Sequence, residues 1–167
     1  PVLHGAAYNE GALTVHSNTP SVTAQGANYI ASRLPGFITL EPLSSDEFRY
    51  TYDLKSSSTS FVRTTLMNDS LTGSLPAGFV LAARGSSGNK LRVEVIDTTG
   101  KKASFILVLE PVYQNYALQL SGENVPVGFN RNSIARIDLI HDRDLSGDLF
   151  GDVVYVKTKG LNYTPPP

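Results

Sequence analysis

The sequence lacks cysteine and tryptophan altogether, and its 167 residues include a single methionine. The absence of cysteine excludes disulfides, zinc–thiolate sites and a cysteine nucleophile. Basic and acidic residues number 14 and 15, so there is no excess of positive charge to attract nucleic acid or an anionic membrane. No apolar run approaches the roughly 20 residues that a membrane-spanning helix needs. With 41% hydrophobic residues, the composition is that of a globular domain with a core of its own.

Signatures of catalysis are also missing. The three histidines, His4, His16 and His141, do not fall in a metal-ligand spacing, and there is no G-x-S-x-G nucleophile motif. Any two of the 15 acidic residues could be chosen as a glycosidase pair, so such a choice carries no information. The sequence therefore predicts a protein that is not an enzyme.

Short segments with β-strand character dominate the chain from residue 48 onward. In 48–54, apolar and polar residues alternate with period two, which is typical of a half-buried strand. Turn-forming segments such as 85–89 and 97–100 separate these strands at intervals of about 8–12 residues. The predicted strands are 48–54, 60–67, 78–84, 91–96, 103–109, 116–120, 134–141 and 152–158. The pattern predicts an all-β fold, a two-sheet antiparallel β-sandwich.

The two ends of the chain are less regular. Residues 13–16 and 37–40 have strand character, and 25–34 are compatible with a short helical turn. We expect a single domain over 1–163. The end, 164–167, contains three consecutive prolines, which are typical of the start of a stiff linker, although a frayed terminus is the alternative.

Four stretches resemble non-catalytic carbohydrate-binding modules of bacterial carbohydrate-active enzymes that have the galactose-binding-like jelly roll. They are Phe79–Gly85 before a Ser/Gly turn, Leu91–Asp97 before a Thr-Thr-Gly turn, Pro111–Leu118 with its paired tyrosines, and Ile134–Ile140 before a polar loop and Val153–Val156. The resemblance covers about residues 48–160. It implies a secreted or cell-surface bacterial module that binds a polysaccharide and is attached to neighbouring domains of the same parent chain.

The sequence departs from the family pattern in two ways. Many such modules present a tryptophan to the sugar, and this chain has none. Many also hold a structural calcium with an aspartate in the final strand, where this chain has Lys157. The missing tryptophan favours an alternative function, a structural or protein-interaction domain of a large extracellular protein with no affinity for glycans.

Sugar binding requires flat apolar faces together with planar polar groups. Tyr113 is the leading aromatic candidate. Successive side chains of a strand point to opposite faces, and this alternation, or strand parity, places Arg63, Arg92 and Arg136 on polar strand faces. These four residues are the predicted sugar contacts; if their strands share a sheet, Gln119 and Asp138 lie on the same outer side as the arginines. The alternative is an ordinary wet face with arginine–carboxylate pairs. The other tyrosines sort by parity and position: Tyr50 and Tyr52 are predicted core residues, and Tyr8, Tyr29, Tyr116 and Tyr163 are further candidates for the sugar platform.

The segment 142–148, Asp-Arg-Asp-Leu-Ser-Gly-Asp, matches the first half of a calcium-binding loop. Carboxylates at alternate positions can turn inward together, and Ca²⁺ prefers such oxygen ligands. The predicted ligands of a structural Ca²⁺ are Asp142, Asp144, Ser146, Asp148 and Asp152. Because the twelfth position is Val153 instead of glutamate, a solvated turn between two strands is the alternative.

Overall fold

The structure is a computed structural model that describes residues 1–10, 21–28, 37–44, 47–54, 60–67, 78–146 and 149–157. These ranges contain β1 (Val2–His4), β2 (Ala6–Ala7), β3 (Ser21–Asn28), β4 (Phe37–Ser44), β5 (Glu47–Asp53), β6 (Ser60–Met67), β7 (Gly78–Arg84), β8 (Lys90–Asp97), β9 (Lys102–Val108), β10 (Gln114–Gln119), β11 (Ile134–Asp142) and β12 (Gly151–Lys157). One short helix, α1 (Arg143–Ser146), and a 3-10 turn at Gly122–Asn124 accompany them. Among the described residues, no helix has the length and apolar character to cross a membrane.

The strands form two six-stranded sheets. Sheet I has the order β1-β9-β8-β11-β6-β3, and sheet II has the order β2-β10-β7-β12-β5-β4. Pairing is antiparallel throughout the described strands, except that β1 runs parallel to β9. The predicted all-β, two-sheet sandwich is therefore confirmed.

Alternation along each strand builds the core between the sheets. In β5, Phe48, Tyr50 and Tyr52 are at most 3% exposed, whereas Thr51 and Asp53 between and beyond them face solvent. The inward residues of both sheets pack into one apolar cluster, which confirms Tyr50 and Tyr52 as core residues. The other face of each sheet is consequently available for polar side chains.

Two parts of the fold differ from the sequence prediction. The helical turn predicted over 25–34 is wrong for Gln25 to Asn28, which belong to β3 and pair in register with β6. Pairing of the main chain with a neighbouring strand overrides the weak local preference of this Ala- and Gln-containing segment. Strands β1 and β2 were not predicted, because three and two residues are too few to show a period. The predicted strand at 13–16 and linker at 164–167 lie outside the described residues.

Asp97 anchors the turn between β8 and β9. Its Oδ1 accepts hydrogen bonds from Thr99 N (2.9 Å), Thr99 Oγ1 (2.7 Å) and Lys101 N (3.0 Å), and its Oδ2 accepts one from Asn130 N (2.8 Å). Burial raises the pKa of Asp97, but the hydrogen bonds from Asn130, Thr99 and Lys101 outweigh it and lower the pKa to about 2. The carboxylate thus ties the hairpin to the loop before β11.

Candidate functional site

One cross-strand row of sheet II brings aromatic and cationic side chains together on the outer face. Tyr155 of β12 lies in register with Arg84 of β7 on one side and with Arg49 of β5 on the other. Arg49 is in turn in register with Glu41 of the edge strand β4. Directly opposed residues of antiparallel strands have adjacent side chains, so these four form a continuous line across the sheet.

The same row extends to the opposite edge of sheet II. Gln114 pairs with Ala83 of β7 and with Ala7 of β2. One residue further along each strand, Tyr113 therefore lies opposite both Arg84 and Tyr8. We call the residues Tyr8, Tyr113, Arg84, Tyr155, Arg49 and Glu41 the tyrosine–arginine row. Five strand spacings of about 4.8 Å give it a length of about 24 Å.

Arginine–tyrosine contacts organise the centre of the row. The guanidinium carbon of Arg84 lies over the Tyr155 ring, 3.5 Å from its centroid, and 5.3 Å from the centroid of Tyr113. Arg49 lies 5.8 Å from the Tyr155 centroid, and its Nη1 donates a hydrogen bond of 3.3 Å to the Tyr155 hydroxyl. Cation–π attraction of this kind fixes the ring and the guanidinium planes relative to one another.

Tyr113 and Tyr8 form the aromatic end of the row. Their ring centroids are 5.7 Å apart with the planes tilted by 40°. The Tyr113 hydroxyl donates to Glu47 Oε2, which also lies 3.5 Å from Lys157 Nζ. Burial, followed by the Glu47 carboxylate, raises the pKa of Tyr113 well above its usual value. Tyr8 is 37% exposed and offers the most accessible aromatic surface of the row.

The row combines the two kinds of group that a sugar-binding surface needs. Tyr8 and Tyr113 provide apolar ring surface, and Arg84 and Arg49 provide planar sets of N–H donors. Arg49 also makes an exposed ion pair of 2.5 Å with Glu41. The hydrogen bond to Tyr155 and the Glu41 carboxylate raise the pKa of Arg49. The arrangement can bind an extended molecule with hydroxyl groups, but it contains no nucleophile–base pair.

The predicted arginines lie on the other side of the sandwich, on the outer face of sheet I. Arg63 of β6 and Arg92 of β8 are both in register with Ile140 of β11, so Arg63, Arg92 and Arg136 share a sheet, which parity alone left open. Asp138 accompanies them, whereas Gln119 lies in sheet II. The structure thus divides the four predicted sugar contacts, with Tyr113 on one outer face and the three arginines on the opposite one.

Carboxylates already pair with Arg92 and Arg136 of sheet I. Arg92 Nη2 lies 2.8 Å from Asp142 Oδ2, and Arg92 Nε lies 3.4 Å from Glu94 Oε2. Arg136 Nε lies 3.1 Å from Asp138 Oδ2, whose side chain is only 2% exposed. This arrangement corresponds to the alternative interpretation, a polar face of arginine–carboxylate pairs.

Sequence reasoning missed Arg84, Tyr155 and Arg49 as members of a common site. Parity did place Arg49 on the polar face of its strand, and the same test applied to β12 puts Tyr155 and Lys157 on one face. Which strands are neighbours cannot be obtained from parity. The further candidate Tyr116 is buried, and its hydroxyl donates to Val108 O (2.6 Å). Tyr29 and Tyr163 lie outside the described residues.

The predicted calcium ligands are distributed over both sheets. Asp142 ends β11 in sheet I, where Arg92 contacts its Oδ2 and Leu145 N donates to its Oδ1 (2.7 Å). Asp152 lies in β12 of sheet II, and Asp144 is exposed on α1. Asp148 and the side chain of Ser146 lie outside the described part of the chain. Within that part, no three acidic or histidine side chains are grouped so that they could hold a metal ion, and calcium binding stays a prediction.

A buried polar cluster links the two sheets at His141. The Tyr50 hydroxyl lies 2.6 Å from His141 Nε2, and the Tyr52 ring stacks on the imidazole with centroids 4.2 Å apart. Asn89 Nδ2 donates to the Tyr52 hydroxyl (2.9 Å) and to Asp152 Oδ2 (2.8 Å). Burial lowers the pKa of His141 to about 3, so the ring is neutral at physiological pH. Because His141 is fully buried, its role is structural.

Comparison with known proteins shows the fold to be that of carbohydrate-binding modules. The chain matches no protein-family model and no curated protein. It is similar to the family 11 carbohydrate-binding module of the cellulosomal cellulase Lic26A-Cel5E of Clostridium thermocellum, with a TM-score of 0.57 and 9% identity over 92% of this chain and 94% of that one. A structure of the Clostridium thermocellum family 11 module in complex with a β-1,3-1,4-mixed-linked tetrasaccharide gives a TM-score of 0.53 and 10% identity over 86% and 91% of the two chains.

Part of a larger enzyme has the same fold. The agarase AgWH50C matches with a TM-score of 0.57 and 12% identity over 85% of this chain, which spans only 24% of the agarase. At such identities the likeness shows the fold alone. The same fold therefore occurs in a carbohydrate-binding module of a cellulase and in one portion of an agarase.

Proposed function

We propose that this chain is a non-catalytic carbohydrate-binding module that binds a polysaccharide along the tyrosine–arginine row of sheet II. The observation that carries the proposal is the row itself, because three tyrosines and two arginines from separate strands meet on one outer face. The fold shared with family 11 carbohydrate-binding modules supports it.

The module acts by proximity. Holding an attached enzyme or surface protein on a polysaccharide raises the effective concentration of the enzyme near its substrate without any chemistry in the module. Such a role requires an extracellular location, and we propose export from a bacterial cell on the basis of the family resemblance. In the agarase AgWH50C, this fold makes up about a quarter of the chain, so it occurs there as one part of a larger enzyme.

A second candidate is a structural or protein-interaction domain with no affinity for glycans. The observation that favours it is the internal pairing of the row, in which Glu41 pairs with Arg49 and Glu47 binds both Tyr113 and Lys157. A surface whose polar groups already have partners gains less from a new ligand, since it must exchange one set of hydrogen bonds for another.

Affinity electrophoresis through gels that contain soluble polysaccharides tests the proposal. We expect one class of glycan to retard the wild-type protein. Tyr8→Ala and Tyr113→Ala should weaken that binding by about tenfold or more, as expected for central aromatic contacts. Arg136→Gln is the control variant on the opposite face, the outer face of sheet I, and it should migrate like the wild type.

The outcomes separate the two faces and the two functions. Loss of retardation in Arg136→Gln but not in Tyr8→Ala would move the site to sheet I. Unretarded migration of the wild type across a broad panel of neutral and acidic polysaccharides would favour the structural function.

A further inference from the structure

Arg84 differs from the other cations on the outer face of sheet II. Arg49 is paired with Glu41, and Lys157 is paired with Glu47. Within the described residues, no carboxylate forms an ion pair with Arg84, whose contacts include the rings of Tyr155 and Tyr113. Of these three cations, Arg84 is therefore the one that no carboxylate neutralises among the described residues, and it lies at the centre of the row.

The position of the Arg84 guanidinium suits it for binding an anion. Its carbon lies over the Tyr155 ring at 3.5 Å from the centroid, so one face of the group is covered. A guanidinium covered on its face keeps the N–H donors at its edges, and two of them match the two oxygens of a carboxylate. The contact with Tyr155 also restricts the side chain before any ligand arrives, which reduces the entropy that binding would cost.

The neighbouring rings define where a sugar would lie. Tyr113 is next to Arg84 in the row, and Tyr8 follows it at 5.7 Å between centroids. A pyranose ring over Tyr113, the neighbour of Arg84 in the row, would place its substituents beside the Arg84 guanidinium. A neutral sugar would cover this arginine without compensating its charge, and burying an unpaired charge is unfavourable.

We propose that Arg84 selects acidic polysaccharides by binding an anionic substituent of the sugar, a carboxylate or a sulfate ester. The inference rests on the proposed function and adds the class of ligand to it. Planar, two-oxygen recognition favours the carboxylate of a uronic acid, and a sulfate ester is the other source of the same anionic oxygens.

Matched pairs of polysaccharides test the inference at 0.15 M salt, where long-range attraction between exposed charges is screened. Polygalacturonate is compared with its methyl ester, alginate and hyaluronate extend the carboxylate set, and dextran sulfate is compared with dextran. We expect the wild type to bind an acidic polymer at least about tenfold more tightly than its uncharged counterpart, as a charge-assisted hydrogen-bond pair would give. A preference within the carboxylate set or within the sulfate set identifies the substituent.

Two variants separate selection by Arg84 from general attraction. Arg84→Gln should abolish the preference for the acidic polymer, whereas Lys102→Gln, which removes an equally positive but 57% exposed side chain of sheet I, should preserve it. Tight binding of neutral polymers alone, or a preference that survives in Arg84→Gln, would overturn the inference and leave the proposed function intact. Failure of the wild type to bind any polymer would overturn both.

Discussion

Replacing Asp152 with alanine should lower the melting temperature of the domain by about 4–16 °C. Asp152 accepts hydrogen bonds of 2.8 Å from Ser86 N, Ser86 Oγ and Asn89 Nδ2, and so fastens the turn after β7 to β12. Asn89 is 2% exposed, so its amide would lose a partner that water cannot easily replace, at a cost of about 1–3 kcal/mol. The two exposed bonds from Ser86 add about 1 kcal/mol.

The sum of about 2–4 kcal/mol converts to the stated shift at about 2–4 °C per kcal/mol for a domain of this size. Differential scanning calorimetry in the presence of EDTA measures it free of any contribution from bound metal. Glu123→Ala, which removes an exposed carboxylate from the 3-10 turn, serves as the control and should melt like the wild type. If Asp152→Ala melted within a degree of this control, the hydrogen bonds of Asp152 would not be what stabilises the turn after β7.

Three further predictions concern buried polar groups and metal. The pKa of His141 falls from 6.5 to about 3 on folding, so between these pH values the unfolded chain binds a proton that the folded chain does not. The free energy of unfolding should therefore decrease by up to about 1.4 kcal/mol per pH unit as the pH falls from 6.5 towards 3. Urea titrations at pH 7, 6 and 5 measure this decrease, which should be smaller in His141→Gln. Asp97→Ala removes the acceptor of four hydrogen bonds and should reduce the free energy of unfolding by about 2–4 kcal/mol in urea titrations, with Asp144→Ala on α1 close to the wild type in chelator. A calcium site in the loop 142–152 requires that chelation lower the melting temperature, and identical curves with and without chelator would exclude it.

The sandwich could be predicted from the sequence because the core imposes a period on each strand. The alternation of Phe48, Tyr50, Tyr52 and Leu54 specifies both the strand and its inward face, and all four residues are buried in the structure. The strand at 78–84 was predicted with its observed bounds. Strands β1 and β2 escaped prediction because their existence depends on the neighbours β9 and β10, not on a pattern of their own.

The candidate site was less accessible to sequence reasoning. Parity states which side of its own strand a residue faces, but only the order of strands in space decides which residues of different strands meet. Tyr113 was identified because an aromatic residue stands out next to a strand, whereas its neighbours Arg84 and Tyr155 belong to strands that are separated from it by long stretches of chain. Parity placed Arg63, Arg92 and Arg136 on polar strand faces; their strands β6, β8 and β11 do share a sheet, but it is the opposite sheet from that of Tyr113.

Each row residue lies on a different strand of sheet II or one position beyond its end, and this placement has a consequence for how such a protein can evolve. The inward residues hold every strand in register, so the outward position opposite its neighbours can be exchanged without disturbing the pairing. Each exchange alters one point of the row, and the spacing between points remains that of the hydrogen-bonded main chain. Ligand preference can therefore drift in single substitutions scattered over the whole sequence, which leaves relatives with the same sandwich, different ligands and little identity to connect them.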